Sequence, residues 1–446
     1  MEVRFGTSGM RGLTDTEITP ELCWKVGTAL ALYFGEGSKL VIAYDTRPGA
    51  KRLAGHCAAA MRNAGAEVLN LGVAPSPYAC AAILTKGMKG GLMVTGSHLP
   101  YDRIGLIPLD EAGAIPPRAG TNKLTQIIKE VPEPVDMEPW LPEEEDFAYE
   151  FLTFTQEIVD SQLPGRGIKV ALDPAGATGA GAASRLMNDL GCDVKAIYDQ
   201  HMDYAPRRME PRIDCLDELV ELVQDSGADF GAAYDSDCDR VLFVDENGRP
   251  LSEDLAAVIF AEYLYGRTGG TIVTPVNSSG LIKKIWQGNV VDCIIGPPEI
   301  SLAAIENEAT FAYEESGKYF FPPRVMWADG LIATAFLAKI ISTSGKSLST
   351  IISEFPRHVQ IKRNIKGSWE QMEKLVPKIK EGFHPPGAKL NDIDGLKYVF
   401  EDGSWLLIRP SGTEPLLRVY VDSPSPNKAR ELSELGMNTV KRLLED

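Results

Sequence analysis

Apolar, β-branched stretches alternate with helical stretches along most of this chain. Runs such as KLVIAYDTRP (39–48), GGLMVTGSH (90–98) and IKVALDPAG (168–176) have the composition of buried strands. Segments with helical spacing, such as KRLAGHCAAAMRNAG (51–65) and ASRLMNDLG (183–191), separate such runs. This order of strand, loop and helix predicts α/β units with parallel or mixed sheets, in which ligands gather at loops beyond the carboxyl ends of the strands.

The chain is too long, at 446 residues, for one hydrophobic core, so we expect several domains. The similar strand starts KLVIAYD, IKVALDP and GTIVTPV indicate three related α/β units. After residue 368 the pattern changes to helix, strand, strand, helix, which predicts a smaller C-terminal α+β unit. Loop-like, Pro-rich or Asn-Gly stretches predict the joins. We therefore place the domains at residues 1–145, 146–248, 249–358 and 359–446.

Charge and cysteine usage exclude several classes of function. The formal net charge of -17 argues against general binding to nucleic acid or to an anionic membrane. The seven cysteines are scattered without a Cys-x-x-Cys, which favours reduced thiols over a disulfide framework or a structural zinc site. No apolar run reaches membrane-spanning length, and the N-terminal MEVRFGTSGMRG does not have the pattern of a signal peptide. We expect a cytoplasmic protein.

Ser97 directly follows the strand-like run GGLMV (90–94), with His98 beside it. A serine at the end of a buried strand can present its hydroxyl to a cleft. An isolated serine there is more often a turn or helix-capping residue. Ser97 becomes a candidate catalytic residue only when it is considered together with the other polar loops of the chain.

The motif DSDCDR (235–240) brings three carboxylates together. Asp235, Asp237 and Asp239 alternate, so near-extended backbone would turn them to one side. Such packing is costly without a cation, and hard oxygen ligands select Mg²⁺ or Ca²⁺. An EF-hand loop is excluded because Arg240 occupies its sixth position, where glycine is required, and VLFVD continues as a strand. A solvated acidic turn remains the alternative, and Mg²⁺ is the preferred ion.

The motif YEESGK (313–318) combines acids with a hydroxyl. Glu314 and Ser316 could hydrogen-bond neighbouring hydroxyls of a sugar, although a polar turn explains the motif equally well when taken alone.

The motif RPSGTEP (409–415) lies between the strand-like runs SWLLI and LLRVYV. Arg409 offers a planar fork of donors, and Ser411, Gly412 and Thr413 offer hydroxyls and accessible backbone N–H groups. That combination suits a phosphate monoester.

Taken together, the Ser97 loop and the three motifs DSDCDR, YEESGK and RPSGTEP predict phosphoryl transfer on a phosphosugar.

These motifs, with FGTSGMRG (5–12), resemble those of the α-D-phosphohexomutases, which include phosphoglucomutase, phosphomannomutase and phosphoglucosamine mutase. The likeness covers essentially the whole chain in order, and the forms FGTSG and RPSGTEP lean toward archaeal and glucosamine-type members. The resemblance implies three α/β mixed-sheet domains and a smaller α+β domain around a central cleft. It also implies a Mg²⁺-dependent mutase in which phosphorylated Ser97 exchanges its phosphoryl group with a sugar monophosphate through a bisphosphate.

The resemblance also implies the site residues and partners. Arg11 and Arg240 join Ser97 in catalysis, with Ser97, Asp235, Asp237 and Asp239 as the metal ligands. The expected substrate-binding residues are Glu314, Ser316, Lys318, Arg409, Ser411, Gly412 and Thr413. The expected partners are a phosphosugar substrate and a sugar bisphosphate activator, for a chain that is a monomer or a homodimer.

The phosphoserine loop departs from the family pattern, which usually reads Thr-Ala-Ser-His-Asn-Pro and then Asn-Gly-x-Lys. Here the alanine is Gly96, the asparagine is Leu99 and the lysine often assigned to proton transfer is Ile107. A buried isoleucine cannot accept a proton, so another group must act or turnover must be slow. We expect His98 in that role, or Lys318, where many relatives carry histidine.

Other departures affect the metal loop and the third unit. Ser236 and Cys238 stand where the family has glycines, and CIIGPPEIS (293–301) replaces a stretch that is normally more polar and basic. Two alternatives to a mutase therefore remain open. One is a metal-dependent phosphatase or phosphotransferase that loses its intermediate to water, and the other is a noncatalytic phosphosugar-binding protein.

Overall fold

The computed structural model describes residues 5–6, 9–134, 137–266, 269–411 and 415–445. The first unit contains strands β1 (Met10–Leu13), β2 (Lys39–Tyr44), β3 (Glu67–Val73), β4 (Gly90–Val94) and β5 (Arg103–Leu109). Its helices are α1 (Pro20–Phe34), α2 (Ala50–Asn63), α3 (Ser76–Lys86) and α4 (Arg118–Glu130). The strand order is β1-β5-β4-β2-β3, with β4, β2 and β3 parallel and β5 antiparallel to both of its neighbours.

The second unit repeats this arrangement without the first strand. Its helices are α5 (Ala148–Ile158), α6 (Ala182–Asp189) and α7 (Asp217–Ser226), with a 3₁₀ turn at Ile213–Cys215. Its strands are β6 (Lys169–Asp173), β7 (Asp193–Ala196), β8 (Phe230–Tyr234) and β9 (Val241–Asp245). The strand order is β7-β6-β8-β9, and only the β8–β9 pair is antiparallel.

The third unit has the same topology. Its strands are β10 (Thr271–Pro275), β11 (Asn289–Cys293), β12 (Phe311–Glu314) and β13 (Lys318–Phe320), in the order β11-β10-β12-β13. Its helices are α8 (Glu253–Phe260), which continues as a π-helix at Ala261–Tyr265, α9 (Leu281–Ile285), α10 (Pro297–Glu306), α11 (Gly330–Ser344) and α12 (Leu348–Ser353). The predicted three related α/β mixed-sheet units are thus confirmed.

The fourth unit is an antiparallel sheet with two helices. Its elements are β14 (Val359–Lys366), α13 (Trp369–Gly382), β15 (Ala388–Asn391), β16 (Leu396–Phe400), β17 (Trp405–Pro410), β18 (Leu416–Ser423) and α14 (Pro426–Glu445). The strand order is β14-β18-β17-β16-β15. The α+β class is confirmed, but the helix, strand, strand, helix pattern predicted after residue 368 is wrong, because four strands rather than two lie between α13 and α14. The edge strands β14 and β15 have no fully buried residue, so they lack the apolar signal of a core strand.

The first three units share one continuous apolar cluster, whereas the fourth has its own. Tyr78 of α3 packs on Phe151 of α5 with ring centroids 4.6 Å apart, which joins the first unit to the second. Asp422 of the fourth unit accepts hydrogen bonds from Ser279 Oγ (2.7 Å) and Gly280 N (2.9 Å) of the third. The boundaries placed after residues 145, 248 and 358 stay predictions. No helix in the described part of the chain is both long and apolar enough to cross a membrane.

Candidate active site

Three predicted site motifs occupy equivalent places in the three related units. Each lies in the hairpin between the third parallel strand and the antiparallel strand that follows it. These hairpins connect β4 to β5, β8 to β9 and β12 to β13. Since the sheets share one topology, the polar loops emerge from corresponding sheet ends.

Ser97 is nearly inaccessible, at 1% exposure, and has a left-handed backbone with φ of 49°. Its Oγ donates to Asp235 Oδ2 over 2.9 Å and lies 3.4 Å from His98 Nδ1. Its backbone N donates to Thr95 Oγ1 over 2.8 Å. The structure therefore brings the serine of the first hairpin to the first carboxylate of the second, as the combined motifs predict.

A buried Asp45–Arg47 pair, which the sequence interpretation missed, supports the Ser97 loop. Arg47 Nε donates to Asp45 Oδ2 over 2.9 Å, and both side chains are fully buried. The rest of the guanidinium donates to the carbonyl oxygens of Ser97 (2.5 Å), Leu99 (2.9 Å), Pro100 (2.5 Å) and Arg103 (2.7 Å). A charged pair directly after the buried β2 is the signal in KLVIAYDTRP that could have identified it, because buried charges require partners.

The three aspartates of the second hairpin form a cluster that could hold a metal ion. One carboxylate oxygen from each of Asp235, Asp237 and Asp239 lies within 4.8 Å of the others, and all three residues are buried. Ser76 Oγ donates to Asp237 Oδ2 over 2.8 Å, and the Lys318 ammonium contacts Asp239 Oδ2. Asp237 Oδ1 and Asp239 Oδ1 have no hydrogen-bond partner within the described residues. Buried anionic oxygens without partners fit a hard divalent cation.

The pKa shifts of the three carboxyls differ because nearby cations outweigh the effect of burial only at Asp239. Burial and repulsion from Asp237 and Asp239 raise the pKa of Asp235 well above its usual range. Burial and repulsion from Asp239 also raise the pKa of Asp237. Burial acts in the same direction on Asp239, but Lys318 and Arg240 outweigh it and lower the pKa of that carboxyl. A bound cation would favour the ionised form of all three.

Besides Lys318 of the third unit, cations of the first and second units face the cluster. Arg240 Nε lies 3.9 Å from both Asp235 Oδ2 and Asp239 Oδ1. Arg11 NH1 donates to Gly96 O over 3.4 Å, and burial lowers the pKa of its guanidinium. The charge of Arg240, then burial, then Arg11 lower the pKa of His98, so its imidazole is neutral near pH 7.

The third hairpin holds the predicted sugar-binding residues. Ser316 Oγ donates to the buried Glu314 through Oε2 at 2.6 Å. The adjacent Glu315 is fixed by Asn277 Nδ2 at 2.5 Å and by the Lys362 ammonium of the fourth unit. Glu314 and Ser316 therefore remain together as a carboxylate and hydroxyl pair of the kind that a polyol would require.

Arg409 of the phosphate motif is linked to the third unit through Asp394, whereas Ser411 contacts Arg418 of its own unit. Arg409 Nε donates to Asp394 Oδ1 over 2.7 Å, while Asp394 Oδ2 accepts from Ile295 N over 2.9 Å. Arg418 NH2 donates to Ser411 Oγ over 3.3 Å. The predicted ligands Gly412 and Thr413 lie outside the described residues. The two hydrogen bonds that Asp394 accepts, from Arg409 and from Ile295, join the phosphate motif to CIIGPPEIS, the stretch that departs from the family.

Ile107, at the position of the expected lysine, is 4% exposed and belongs to the large apolar cluster. It pairs with Met93 between β4 and β5. This side chain has no acid–base capacity. The two candidates for proton transfer differ in their contacts, because His98 faces the Ser97 hydroxyl and Lys318 is engaged by Asp239.

The four domains of the phosphoglucomutase/phosphomannomutase family match this chain in order. The alpha/beta/alpha domains I, II and III match residues 2–134, 149–248 and 252–359. The C-terminal domain matches residues 359–435.

Individual proteins are similar over nearly the whole length. A phosphoglucomutase/phosphomannomutase of Thermococcus kodakarensis is 32% identical, over 99% of both chains. A probable phosphoglucosamine mutase of Methanobrevibacter smithii is 31% identical, over 98% of both. The crystal structure of a phosphoglucomutase/phosphomannomutase family protein from Burkholderia thailandensis has the same fold, with a TM-score of 0.87 at 22% identity over 99% of this chain and 98% of that one.

Proposed function

Because this chain belongs to the phosphoglucomutase/phosphomannomutase family, we propose that it moves a phosphoryl group between two hydroxyls of a sugar monophosphate through phosphorylated Ser97. The observation that carries the proposal is the 2.9 Å hydrogen bond from Ser97 Oγ to Asp235. It places a buried hydroxyl beside a three-carboxylate cluster that requires a cation. Either feature alone is common, but their combination suits phosphoryl transfer.

Mg²⁺ is the ion we propose, since the ligands are hard oxygens and two of these buried oxygens, Asp237 Oδ1 and Asp239 Oδ1, have no hydrogen-bond partner among the described residues. Asp235, Asp237 and Asp239 would hold it together with the phosphorylated Ser97. When bound, Mg²⁺ offsets negative charge on the transferring phosphoryl group.

The protein's own groups account for the rest of the chemistry. As the bond between Ser97 Oγ and phosphorus breaks, a bond forms from phosphorus to a sugar hydroxyl, whose proton passes through neutral His98 to the released Ser97 Oγ, 3.4 Å from His98 Nδ1, so that the serine hydroxyl and the neutral imidazole are both restored. Arg11 and Arg240 offset charge on the transferring group, because the half-buried Arg11 and the buried Arg240 both lie beside the cluster. The resulting bisphosphate reorients within the site, without leaving it, and returns its other phosphoryl group to Ser97.

We assign recognition of the sugar to Glu314, Ser316 and Lys318. The phosphate that does not react would be held by Arg409, Ser411, Gly412 and Thr413, which offer a fork of donors, hydroxyls and backbone N–H groups. The substrate class is a hexose or hexosamine monophosphate, because the similar proteins carry the names of glucose, mannose and glucosamine phosphate mutases.

Further properties belong to the same proposal. The four domains extend over the predicted residue ranges, a sugar bisphosphate activates the enzyme, and the chain acts in the cytoplasm as a monomer or homodimer.

A Mg²⁺-dependent phosphatase is the second candidate, and the buried Ile107 favours it. If proton transfer from the sugar hydroxyl is inefficient, the phosphoserine survives long enough for water to attack it. Such an enzyme releases inorganic phosphate instead of an isomeric phosphosugar.

Intact-mass measurement with glucose 1,6-bisphosphate tests the proposal. Wild-type protein should gain the mass of one phosphoryl group and then convert the 1-phosphates of glucose, mannose or glucosamine into the corresponding 6-phosphates. Ser97→Ala should gain nothing and lose several orders of magnitude in turnover. Undiminished labelling of Ser97→Ala would refute the phosphoserine, and stoichiometric release of phosphate would favour the phosphatase.

A further inference from the structure

The hydroxyl of Ser236 connects the metal loop to the backbone of the Ser97 loop. Ser236 Oγ donates to the carbonyl oxygen of Ser97 over 2.7 Å and accepts from Arg47 NH2 over 3.1 Å. Ser236 is 1% exposed, so water does not compete for these bonds. The connection is therefore a buried contact between the second unit and the first.

The position of Arg47 depends on the glycine before Ser97. An ideal Cβ at Gly96 would lie 2.3 Å from Arg47 Cζ and 2.5 Å from the carbonyl oxygen of Arg103. Neither distance is possible, so alanine at this position would displace the guanidinium or the loop. Gly96 and Ser236 thus accommodate the same side chain, the first by leaving space for it and the second by accepting its hydrogen bond.

The backbone of Ser236 is itself fixed by the second unit. Its carbonyl oxygen accepts from Thr178 N over 3.1 Å and from Thr178 Oγ1 over 2.7 Å. Asp235, which accepts the Ser97 hydroxyl, directly precedes Ser236. Two adjacent residues therefore hold Ser97 at both its hydroxyl and its carbonyl.

We propose that Ser236 is a positioning residue for phosphoryl transfer and that Gly96, Arg47 and Ser236 act as one unit; this inference rests on the proposed function. The left-handed backbone of Ser97 is unfavourable for a residue with a side chain and persists only where its surroundings fix it. Ser236 restrains that conformation and does not contact the substrate. Its loss should lower kcat and leave KM unchanged.

The test compares Ser236→Ala with the wild type in three measurements. We expect the rate of Ser97 labelling by glucose 1,6-bisphosphate and kcat to fall at least about tenfold, because the Ser236 hydroxyl makes two buried hydrogen bonds, one to the Ser97 carbonyl and one from Arg47. KM for the sugar monophosphate should stay within twofold. Hydrogen exchange of the amides in residues 96–103 should accelerate, which tests the positioning independently of activity. Ser433→Ala is the matched control, since Ser433 Oγ is buried with no hydrogen-bond partner among the described residues.

A double-mutant cycle tests whether the three residues act together. Gly96→Ala and Ser236→Gly should each lower kcat, and the double variant should lose less than the product of the two factors, because Arg47 is displaced only once. Multiplicative losses would overturn the coupling.

The two proposals fail in different ways. If the wild type is labelled and turns over but Ser236→Ala matches it in rate and exchange, or only its KM rises, the positioning role is wrong and the mutase stands. If the wild type is neither labelled nor active, both are wrong.

Discussion

Replacing Lys318 with methionine should make the stability of this protein depend strongly on Mg²⁺. Lys318 and Asp239 form an ion pair in which each side chain is 4% exposed. Removing one partner of a buried pair costs about 3–5 kcal/mol when the other charge is left uncompensated, and here the cost is at the lower end because Arg240 Nε still lies 3.9 Å from Asp239 Oδ1. Without the Lys318 ammonium, the pKa of Asp239 should rise, as burial and neighbouring carboxylates already raise the pKa values of Asp235 and Asp237. Arg240 would still lie close to Asp239.

A divalent ion in the cluster should restore much of this loss. Mg²⁺ at 100 times its Kd adds about 2.7 kcal/mol to the folded state. It should bind Lys318→Met more tightly than wild type, because the ammonium no longer occupies Asp239.

Thermal unfolding in EDTA and in excess Mg²⁺ measures this effect. The Mg²⁺-induced rise in Tm should be larger for Lys318→Met than for wild type. Lys397→Met is the control, since Lys397 is also buried but lies over the Trp405 ring, at 4.7 Å, and not on a carboxylate of the cluster. Equal Mg²⁺ responses in wild type and Lys318→Met would refute the assignment of this ion pair to the metal site.

Three further predictions concern the metal, the phosphate and pH. Asp237→Asn should weaken Mg²⁺ binding in calorimetry with little change in Tm, because it removes charge but little volume; unchanged affinity would exclude this carboxylate as a ligand. Arg409→Lys should raise the KM for a sugar phosphate, since lysine lacks the planar fork, and an unchanged KM would contradict the clamp. Burial raises the pKa of Asp329 to about 7, so its contribution to stability is full below pH ~4 and is lost as pH rises through 7. Asp329→Asn keeps an N-cap acceptor for Ile332 N and should flatten that decline in a Tm series from pH 5 to 8; an unaltered slope would refute it.

The repeated α/β fold and the meeting of Ser97 with Asp235 could be predicted from the sequence. Both follow from local signals, because a polar residue directly after a buried strand lies at the strand's carboxyl end, where the sheet gathers its ligands. The partner of Lys318 could not be read from the sequence, since nothing in YEESGK indicates which carboxylate of DSDCDR its ammonium contacts. Edge strands such as β15 were missed because their side chains are partly exposed on both faces.

Arg47 shows a different limit of sequence reasoning. Its side chain donates to four carbonyl oxygens of the Ser97 loop. Every residue type has a backbone carbonyl, so the sequence does not show which residues accept these bonds. The substitution at Gly96 seemed an isolated departure from a family pattern, yet it is explained by an arginine 49 positions earlier. Such compensation becomes visible only when distances across the fold are known.

The separation of Ser97 from Asp235, 138 residues along the chain, has a consequence for synthesis on the ribosome. At about 5–20 residues per second, the acceptor emerges about 7–28 s after the serine. During that interval a nascent first unit exposes the hydroxyl without its carboxylate partners. The reactivity that we propose for this serine would therefore arise late in translation, and a chain truncated before the second unit would carry the proposed nucleophile without its carboxylate partners.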